Sequence, residues 1–401
     1  MKHNIALFLL TLSIALLSGC WDRMEVEDRS TVLGLAVDIA EEEKEDPINH
    51  SDEEEIPTAE VGMIEVTAQL AVPGQIPLGP SQGGGGAGPE ESVWVVKAVG
   101  HTLSEAVTHL QQQLSSTIFL GHLKIFIISD EVARKGINEI IDFMKRNPEV
   151  RRDAWLLVNG ERADETLEVA PKLERIPALY LSNMLDNSIK MGKLPKVRAG
   201  RFWIALENDG QDGYLPYITV KSKENIQVSG VGYFRDNKLV GHTKPYQIAF
   251  LNGLIEHNPG GSTAVVKLAD HQTVQLQSTK RKSDYTVTLE RQIPHFTVSV
   301  EITGNITGKN DEGIQLDQNS TISSIEKTAE KTFKQEYEKL IKETQNQQSD
   351  ILGLGEHVRA ELPNYWDEEV KSSEKWREIY EDVPVDVTVT VKVEGVGLRA
   401  K

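Results

Sequence analysis

The most distinctive reactive group in the sequence is the thiol of Cys20, the only cysteine among 401 residues. Leu17, Ser18 and Gly19 precede it, so the thiol directly follows two small side chains. A lone thiol cannot form an intramolecular disulfide or a zinc site built from several thiolates. Its nucleophilic sulfur is therefore a candidate for covalent modification.

The residues before Cys20 have the composition of a secretory signal. A lysine and a histidine give a basic start, and Ile5 to Leu17 is a mainly apolar run of 13 residues. This run is too short to cross a bilayer, which takes about 20 apolar residues, and it suits the core of a signal peptide. The Leu-Ser-Gly-Cys end resembles the bacterial lipobox, in which the cysteine receives a diacylglycerol and becomes the mature N-terminus. We therefore expect a signal peptide over residues 1–19 and attachment to membrane lipid through diacylglyceryl-Cys20.

The charge balance limits what the rest of the chain binds. There are 43 Lys and Arg against 61 Asp and Glu, which gives a net charge of −18, or −19 once residues 1–19 are removed. Such acidity disfavours nucleic-acid binding, which needs clustered basic residues. It also disfavours a body that lies flat on anionic lipid, so two acyl chains are expected to supply the attachment. The predicted mature protein is a globular body held at the outer face of a membrane.

No set of residues has the spacing of a known catalytic or metal site. The nucleophile-elbow, P-loop, EF-hand and zinc-protease motifs are absent from the sequence. Two sets of possible metal ligands lack the required spacing: His101, His109 and His122, and Asp311, Glu312 and Asp317. Trp366 and Trp376 suit either core packing, the commoner use, or a sugar-stacking platform. We therefore expect no catalytic residue, no metal and no cofactor.

The N-terminal α/β domain is predicted over residues 20–200, with two loops inserted. Residues 41–60 hold ten acids and one lysine, a density of like charge that is typical of a solvated loop. Residues 73–89 hold seven glycines and four prolines and are interpreted as a flexible linker. The linker contains G-x-G-x-x-G from Gly83, but it does not join a strand to a helix, so a phosphate site is not expected.

The most regular part of this domain predicts a β-α-β-α-β segment. Its elements are expected at 93–99, 103–114, 123–128, 137–144 and 154–158. Thr102 and Glu105 have the spacing of a capping box at the first helix start. Strands that alternate with helices indicate parallel pairing with right-handed crossovers.

The second half predicts an α+β arrangement in two further domains. A middle domain over 201–280 has a hairpin around Arg235-Asp236-Asn237 and a short helix after Pro245. A C-terminal domain over 281–401 has a long helix at 320–345 and an alternating final strand from Val385 to Val393. The fold class is therefore α+β, a mixed α/β protein of three domains whose C-terminal antiparallel sheet packs on a long helix.

Several segments together resemble the Ger(x)C lipoproteins, the C-subunit family of spore germinant receptors. The likeness begins at Cys20-Trp21-Asp22-Arg23 and continues at Gly121-His122-Leu123-Lys124. In the second half it is carried by Val228 to Phe234 and by Asp350 to Gly355, followed by the two tryptophans near the C-terminus. The acidic run and the glycine-rich run depart from the family pattern and look like loop insertions.

This resemblance implies a role and a set of partners. The protein would be the lipid-anchored, non-catalytic subunit of a nutrient germinant receptor at the outer face of the spore inner membrane. Its partners would be an A-subunit with a soluble domain and membrane helices, and a polytopic B-subunit. The resemblance also implies three mixed α/β domains.

Two other classes of protein fit parts of the sequence. A substrate-binding lipoprotein of an importer would have two similar lobes around a ligand cleft. An anchored enzyme, such as a cell-wall hydrolase, would have acids clustered in a deep pocket.

Overall fold

The computed structural model describes residues 29–41, 62–72, 92–169, 174, 176–255, 260–268 and 271–397. Cys20, most of the acidic run and the glycine-rich run therefore lie outside the described residues. Among the described residues, no helix has the length and apolar character that crossing a membrane requires.

The described elements alternate between the two secondary-structure types along the chain. The strands are β1 (Arg29–Ile39), β2 (Ile64–Ala71), β3 (Val93–Gly100), β4 (Thr117–Phe119), β5 (Ile125–Ser129), β6 (Trp155–Asn159), β7 (Tyr214–Ser222), β8 (Asn225–Arg235), β9 (Lys238–His242), β10 (Thr263–Lys267), β11 (Thr273–Glu290), β12 (Ile293–Lys309) and β13 (Val385–Gly395). The helices are α1 (Leu103–Gln112), α2 (Asp130–Lys135), α3 (Asn138–Arg146), α4 (Asp164–Glu168), α5 (Pro177–Lys190), α6 (Ala199–Glu207), α7 (Gln247–Ile255), α8 (Asn319–Asn346), α9 (Leu354–Glu361), α10 (Pro363–Tyr365) and α11 (Ser373–Tyr380). One π-helical turn, Trp366–Val370, joins α10 to α11.

The first sheet has nine strands and is mixed. Its order is β3-β2-β1-β5-β6-β7-β8-β9, and the short β4 pairs with the start of β1. The strands β1, β5, β6 and β7 are mutually parallel, whereas β2 and β8 run against their neighbours. Every side chain of β5 and β6 is buried. Burial on both faces explains why these strands are continuous apolar runs.

The predicted β-α-β-α-β segment is present, with one difference in pairing. The second and third of its strands, β5 and β6, are parallel neighbours as expected. The first, β3, pairs instead with β2, and β1 lies between β2 and β5. The sequence pattern reveals strands but not their order, because an earlier strand can insert between two later ones. Thr102 Oγ1 caps α1 by accepting from the Glu105 amide at 3.1 Å, as predicted.

The second sheet has four strands, β10-β11-β12-β13, and packs against α8. Three of them are antiparallel as predicted, but β13 adds parallel to β12, so the sheet is mixed. The apolar positions of α8 recur at helical spacing and are buried: Ile325, Ala329, Phe333, Tyr337 and Leu340. The observed bounds of α8 match the predicted helix at 320–345 to within one residue at each end.

The outer edge of β13 is protected by α8. Glu330 accepts from the Val391 amide at 3.1 Å, and Glu326 accepts from the Val393 amide at 2.9 Å. Edge strands expose unpaired amides that attract other strands. The two carboxylates occupy part of this edge and fix α8 along it.

One long strand replaces two predicted ones. The sequence predicts separate strands at 274–278 and 285–290, but β11 runs without interruption over 18 residues. The polar run between them has the composition of a loop, yet it pairs with β12 through a register shift after Ser278. Arg281 in this run is buried and donates to the Ala249 carbonyl and, at 3.1 Å, to Ser278 Oγ. The division into three domains stays a prediction.

Candidate functional site

The residues that the sequence singles out do not converge on one site. Cys20 lies outside the described residues, and its lipidation stays a prediction. His109 is buried and its Nδ1 lies 2.7 Å from the Val99 carbonyl, whereas His122 packs edge-on against the Phe119 ring. Asp311 lies in an exposed turn and accepts from the Gly313 amide at 2.6 Å. Within the described ranges, no three His, Cys, Asp or Glu side chains are grouped so as to hold a metal ion.

The structure instead reveals a buried cluster around Asp350, which is fully enclosed. One oxygen of its carboxylate accepts from the Trp376 indole at 2.9 Å and from the Gly355 amide at 2.8 Å. The other oxygen accepts from the Gly353 amide at 2.9 Å. Gly353 has φ of +76°, a conformation that favours glycine, so the turn brings both glycine amides to the same carboxylate. Trp376 packs beside Trp366 in the core, as the commoner use of such residues predicts.

An ion pair extends this cluster to the first sheet. Asp212 precedes β7, and its carboxylate accepts from Arg377 of α11 at 2.8 and 2.9 Å. Its second oxygen accepts from the Asp350 amide at 2.9 Å, and its own amide donates to the Asp350 carbonyl at 2.8 Å. A second carboxylate, from the exposed Asp236 in the hairpin turn between β8 and β9, contacts Arg377 at 2.5 Å. The Asp350 cluster, Asp212, Asp350, Trp376 and Arg377, therefore joins the first sheet to the helices after α8.

Burial has the largest influence on the pKa values of the carboxylates in this cluster. It raises the pKa of Asp350 to about 6, although the amide and indole donors oppose the rise. It also raises the pKa of Asp212, against the opposing effect of the Arg377 guanidinium. Because protein groups occupy these carboxylate oxygens, the cluster is arranged to hold segments together rather than to bind a substrate.

A second cluster lies at the end of β1, among the carboxyl ends of the parallel strands. Asp38 is buried and accepts from the main-chain amides of Ala163 at 2.7 Å and Asp164 at 2.9 Å. Arg162 donates to Asp164 at 3.0 Å and to the buried Glu65 at 2.8 Å. We call Asp38, Glu65, Lys97, Arg162 and Asp164 the Asp38 cluster. The carboxyl ends of parallel strands are the usual ligand-binding edge of α/β sheets, but here the loop after β6 closes over that edge.

The two cations set the charge state of the Asp38 cluster. Burial alone would raise the pKa of Asp164, but hydrogen bonds from Arg162 and Lys97 hold that pKa below its usual range. Lys97 Nζ lies 2.6 Å from the Asp164 carboxylate. Burial raises the pKa of Asp38, which receives two amide hydrogen bonds but faces the Asp164 charge. Arg162 is therefore the cation that offsets the repulsion between the three neighbouring carboxylates of Asp38, Glu65 and Asp164.

We expect Arg162→Met to lower the free energy of unfolding by about 1–3 kcal/mol, because it leaves two buried acids short of a cation. The effect is kept moderate by solvent screening, since 34 % of the Arg162 side chain is exposed. Chemical denaturation at neutral pH measures it. Arg146→Met is the matched control, since Arg146 is exposed and, among the described residues, forms its ion pair with Asp142 on its own helix. Equal effects of the two substitutions would contradict a role for Arg162.

A cleft of about 320 Å³ separates α6 from the second sheet. Its lining includes Arg201, Tyr285 and His357, and the last two rings stack with centroids 5.0 Å apart. Tyr285 donates to the Leu254 carbonyl at 3.0 Å, which ties β11 to α7. The volume lies at the low end of the range of ligand pockets. The described residues that line this cleft include no Asp or Glu, so the carboxylate pair typical of glycosidases is not found in its lining.

Sequence reasoning did not find either cluster. Asp212 and Asp350 are 138 residues apart in sequence, so no local spacing signals their contact. A local signal does exist at Asp350, where a carboxylate precedes two glycines and can accept from their amides. That segment was singled out only because it resembles a known family.

Comparison with known protein families covers nearly the whole chain. Residues 22–220 match the family described as "Spore germination protein N-terminal domain". Residues 229–397 match the family described as "Spore germination B3/ GerAC like, C-terminal". The gap between the two matched regions, residues 221–228, covers the end of β7, the turn after it and the first part of β8.

Individual relatives give the same result. The chain is 27 % identical over 414 residues to the putative spore germination protein YfkR of Bacillus subtilis (strain 168), covering 100 % of this chain and 99 % of that protein. It is 25 % identical to the spore germination protein GerQC of Bacillus cereus, covering 86 % of this chain and 93 % of that protein. The crystal structure of the GerBC protein aligns with a TM-score of 0.55 at 19 % identity, covering 83 % of this chain and 94 % of that chain. The structural likeness supports the mixed α+β fold.

Proposed function

The chain belongs to the family of spore germination proteins, and from this premise we propose that it is the lipid-anchored C-subunit of a nutrient germinant receptor. The observation that carries the proposal is the match of both family domains, over residues 22–220 and 229–397, directly after a lipobox-like Cys20. In this role the protein binds membrane lipid through diacylglyceryl-Cys20 at the outer face of the spore inner membrane. It assembles there with an A-subunit and a polytopic B-subunit.

The chemistry of the described residues supports a non-catalytic subunit. Asp350 and Asp38 are enclosed, and their carboxylates accept from amides of the protein itself. Catalytic acids need a free position facing a substrate, which neither carboxylate offers. Both clusters instead fix segments that are distant in sequence, as a subunit with broad docking surfaces requires.

The sheet architecture favours this role over an importer binding protein. A binding protein of that class was expected to have two similar lobes around a cleft. The described part of this chain has a nine-stranded sheet and a four-stranded sheet of different topology. The ligand cleft between matched lobes, on which that function depends, has no counterpart in this arrangement.

We expect Cys20→Ala to leave the protein folded but unlipidated and depleted from the spore membrane fraction. The expected phenotype is loss of the response to the nutrients sensed by its receptor, with vegetative growth unchanged. Fractionation, mass spectrometry of the mature N-terminus and a nutrient germination assay measure the three effects. The physical reason is that two acyl chains supply stable attachment, which the acidic body does not replace.

Ser18→Ala is the matched control, because it keeps a small side chain before the cleavage site and leaves the thiol in place. This variant should be lipidated and should respond to nutrients normally. Normal membrane yield together with a normal nutrient response in Cys20→Ala spores would overturn the proposed anchor.

A further inference from the structure

The parallel strands of the first sheet begin along one edge of that sheet. The Lys124 amide, just before β5, donates to the Leu33 carbonyl of β1 at 2.9 Å. The Trp155 amide at the start of β6 donates to the Lys124 carbonyl at 2.8 Å. Strands that run in the same direction therefore begin side by side, and the turns before them lie along one edge. Arg29, the first residue of β1, extends this edge and pairs with Thr117 of β4.

This edge is basic, although the whole chain is strongly acidic. Lys124, Arg151 and Arg152 are exposed and form no ion pair within 4 Å of a described residue, although Arg152 interacts at longer range with Glu207. We call these three residues together with Arg29 the basic edge. The Arg29 guanidinium lies over the Phe119 ring, 4.5 Å from its centroid.

The acids near this edge leave its charge positive. Glu149 is half-buried, and its carboxylate accepts from the Leu120 amide at 2.8 Å. Asp153 is exposed, and Asp186 is neutralised by its ion pair with Arg198. Asp153 also lies near Arg198, and Glu207, which acts on Arg152, is paired with Lys145. Among the described residues of this region, the cations therefore outnumber the acids.

An exposed tryptophan lies in line, across the strands of the sheet, with the first part of β1. Trp94, near the start of β3, pairs with Leu70 of β2, which in turn pairs with Val32 of β1. Half of the Trp94 surface is exposed, which is unusual for so large an apolar side chain. Indole rings are favoured at the boundary between lipid headgroups and water, where one part of the ring is apolar and another donates a hydrogen bond.

The acidic run joins the sheet at the opposite edge. Glu41 and Gly62, which flank the part of the run outside the described residues, follow the end of β1 and precede the start of β2. Lys124 lies beside Leu33 of β1, and at about 3.3 Å per residue the steps from Leu33 to Glu41 separate the two edges by roughly 25 Å. Glu41 and the basic edge therefore interact only weakly, because the Debye length is about 10 Å at 0.1 M salt. Nearer in sequence, residues 20–28 hold four acids and one arginine, so they add three negative charges between Arg29 and the anchor.

The chain outside the described residues leads from this edge to the anchor. Nine residue steps separate Arg29 from Cys20, a reach of at most about 30 Å. A lipid on Cys20 therefore keeps the start of β1 close to the bilayer surface. We propose that the basic edge binds the anionic phospholipid headgroups beside the anchor, with Trp94 at the same surface. This inference rests on the proposed lipid anchor, and it adds an orientation in which the carboxyl ends of the parallel strands face away from the membrane.

The test couples the mature chain, residues 20–401, to vesicles through its only thiol. Maleimide headgroups on phosphatidylcholine vesicles react with Cys20, with or without phosphatidylglycerol as the anionic lipid. Trp21 adjoins the coupled cysteine, so it is replaced by phenylalanine in every variant. Energy transfer from the remaining tryptophans to a dansyl-labelled lipid then reports how closely the body approaches the bilayer. We expect phosphatidylglycerol to raise the transfer at low salt, and 1 M salt to reverse the rise, because the Debye length falls to about 3 Å there.

Charge reversal identifies the edge responsible. Lys124→Glu/Arg151→Glu/Arg152→Glu should abolish the rise and weaken the electrostatic association on the order of 100-fold. The matched control, Lys221→Glu/Lys223→Glu/Lys244→Glu, reverses three exposed lysines at the far ends of β7 and β9. In this control variant, phosphatidylglycerol should raise the energy transfer as much as it does in the wild-type chain. Circular dichroism verifies that both triple variants are folded.

Two results would overturn the proposal. One is a wild-type energy transfer that does not change when phosphatidylglycerol is added. The other is an equal rise in energy transfer in both triple variants. Because maleimide coupling replaces the natural lipid, the test succeeds or fails whether or not Cys20 is lipidated in cells. Failure of the anchor itself is seen separately, in the Cys20→Ala spores.

Discussion

Arg377→Met is expected to lower the free energy of unfolding by about 3–5 kcal/mol, because it leaves the buried Asp212 carboxylate without its cation. Only 2 % of the Asp212 side chain and 11 % of the Arg377 side chain are exposed, so water cannot replace the lost partner. Methionine keeps much of the length and apolar volume of the arginine stem, so the loss reports mainly on charge. Urea denaturation at neutral pH, followed by circular dichroism, measures it.

A second substitution separates the charge from the packing. Asp212→Asn in the Arg377→Met background removes the stranded charge and keeps one oxygen to accept from the Asp350 amide. We expect the double variant to recover a large part of the lost stability, as a double-mutant cycle shows. Equal stability of the single and double variants would mean that the ion pair does not matter and that packing of Arg377 alone explains the loss.

The same variant tests how the two sheets are joined. Asp212 lies just before β7, and Arg377 lies in α11, after the long helix α8. Loss of their contact should increase amide hydrogen exchange in residues 349–355 and around Gly213 more than in β5 or β6. In the proposed role as a receptor subunit, the chain would present one rigid surface to its partners and would depend on this joint. We therefore expect germination to be impaired in this variant even where the lipid anchor is intact.

Local patterns in the sequence predict the helices and strands whose buried residues either recur at one regular spacing or form one continuous run. The helix α8 is found because its apolar residues recur at helical spacing over its whole length. The strands β5 and β6 are found because burial on both faces makes them short apolar runs. The hairpin between β8 and β9 is found because Asp236 and Asn237 suit a turn, and Asp236 indeed has φ of +55°.

Elements whose formation depends on distant partners are not found in this way. The strand β7 contains Pro216, which argues against a central strand. It is tolerated because β6 pairs with β7 only from Tyr217 onward, so the proline lies where that neighbour is absent. The Asp350 cluster is hidden for the same reason, since a buried carboxylate is recognisable only once its donors are known.

The second large effect is expected at Asp350, where Asp350→Asn should lower the free energy of unfolding by about 2–4 kcal/mol at neutral pH. The carboxylate accepts from three donors, Gly353, Gly355 and Trp376, at 2.8–2.9 Å. An asparagine has only one acceptor oxygen, and its amide would face at least one of these donors without a hydrogen bond. Asp367→Asn is the matched control, since Asp367 is exposed on the nearby π-helical turn, and it should leave stability unchanged.

The pH dependence of this effect follows from the raised pKa. Burial raises the pKa of Asp350 from 3.8 to about 6, so between these values the folded chain holds a proton that the unfolded chain has released. The stability contributed by this protonation is complete below about pH 4 and is lost as the pH rises through about 6, a change of up to about 3 kcal/mol. Asparagine does not titrate, so the deficit of Asp350→Asn relative to wild type should grow as the pH falls from neutral towards 4. Denaturation curves across this range measure the difference, and a deficit that stays constant would show that Asp350 is already ionised throughout. In that case the amide and indole donors, rather than burial, would set the charge state of the cluster.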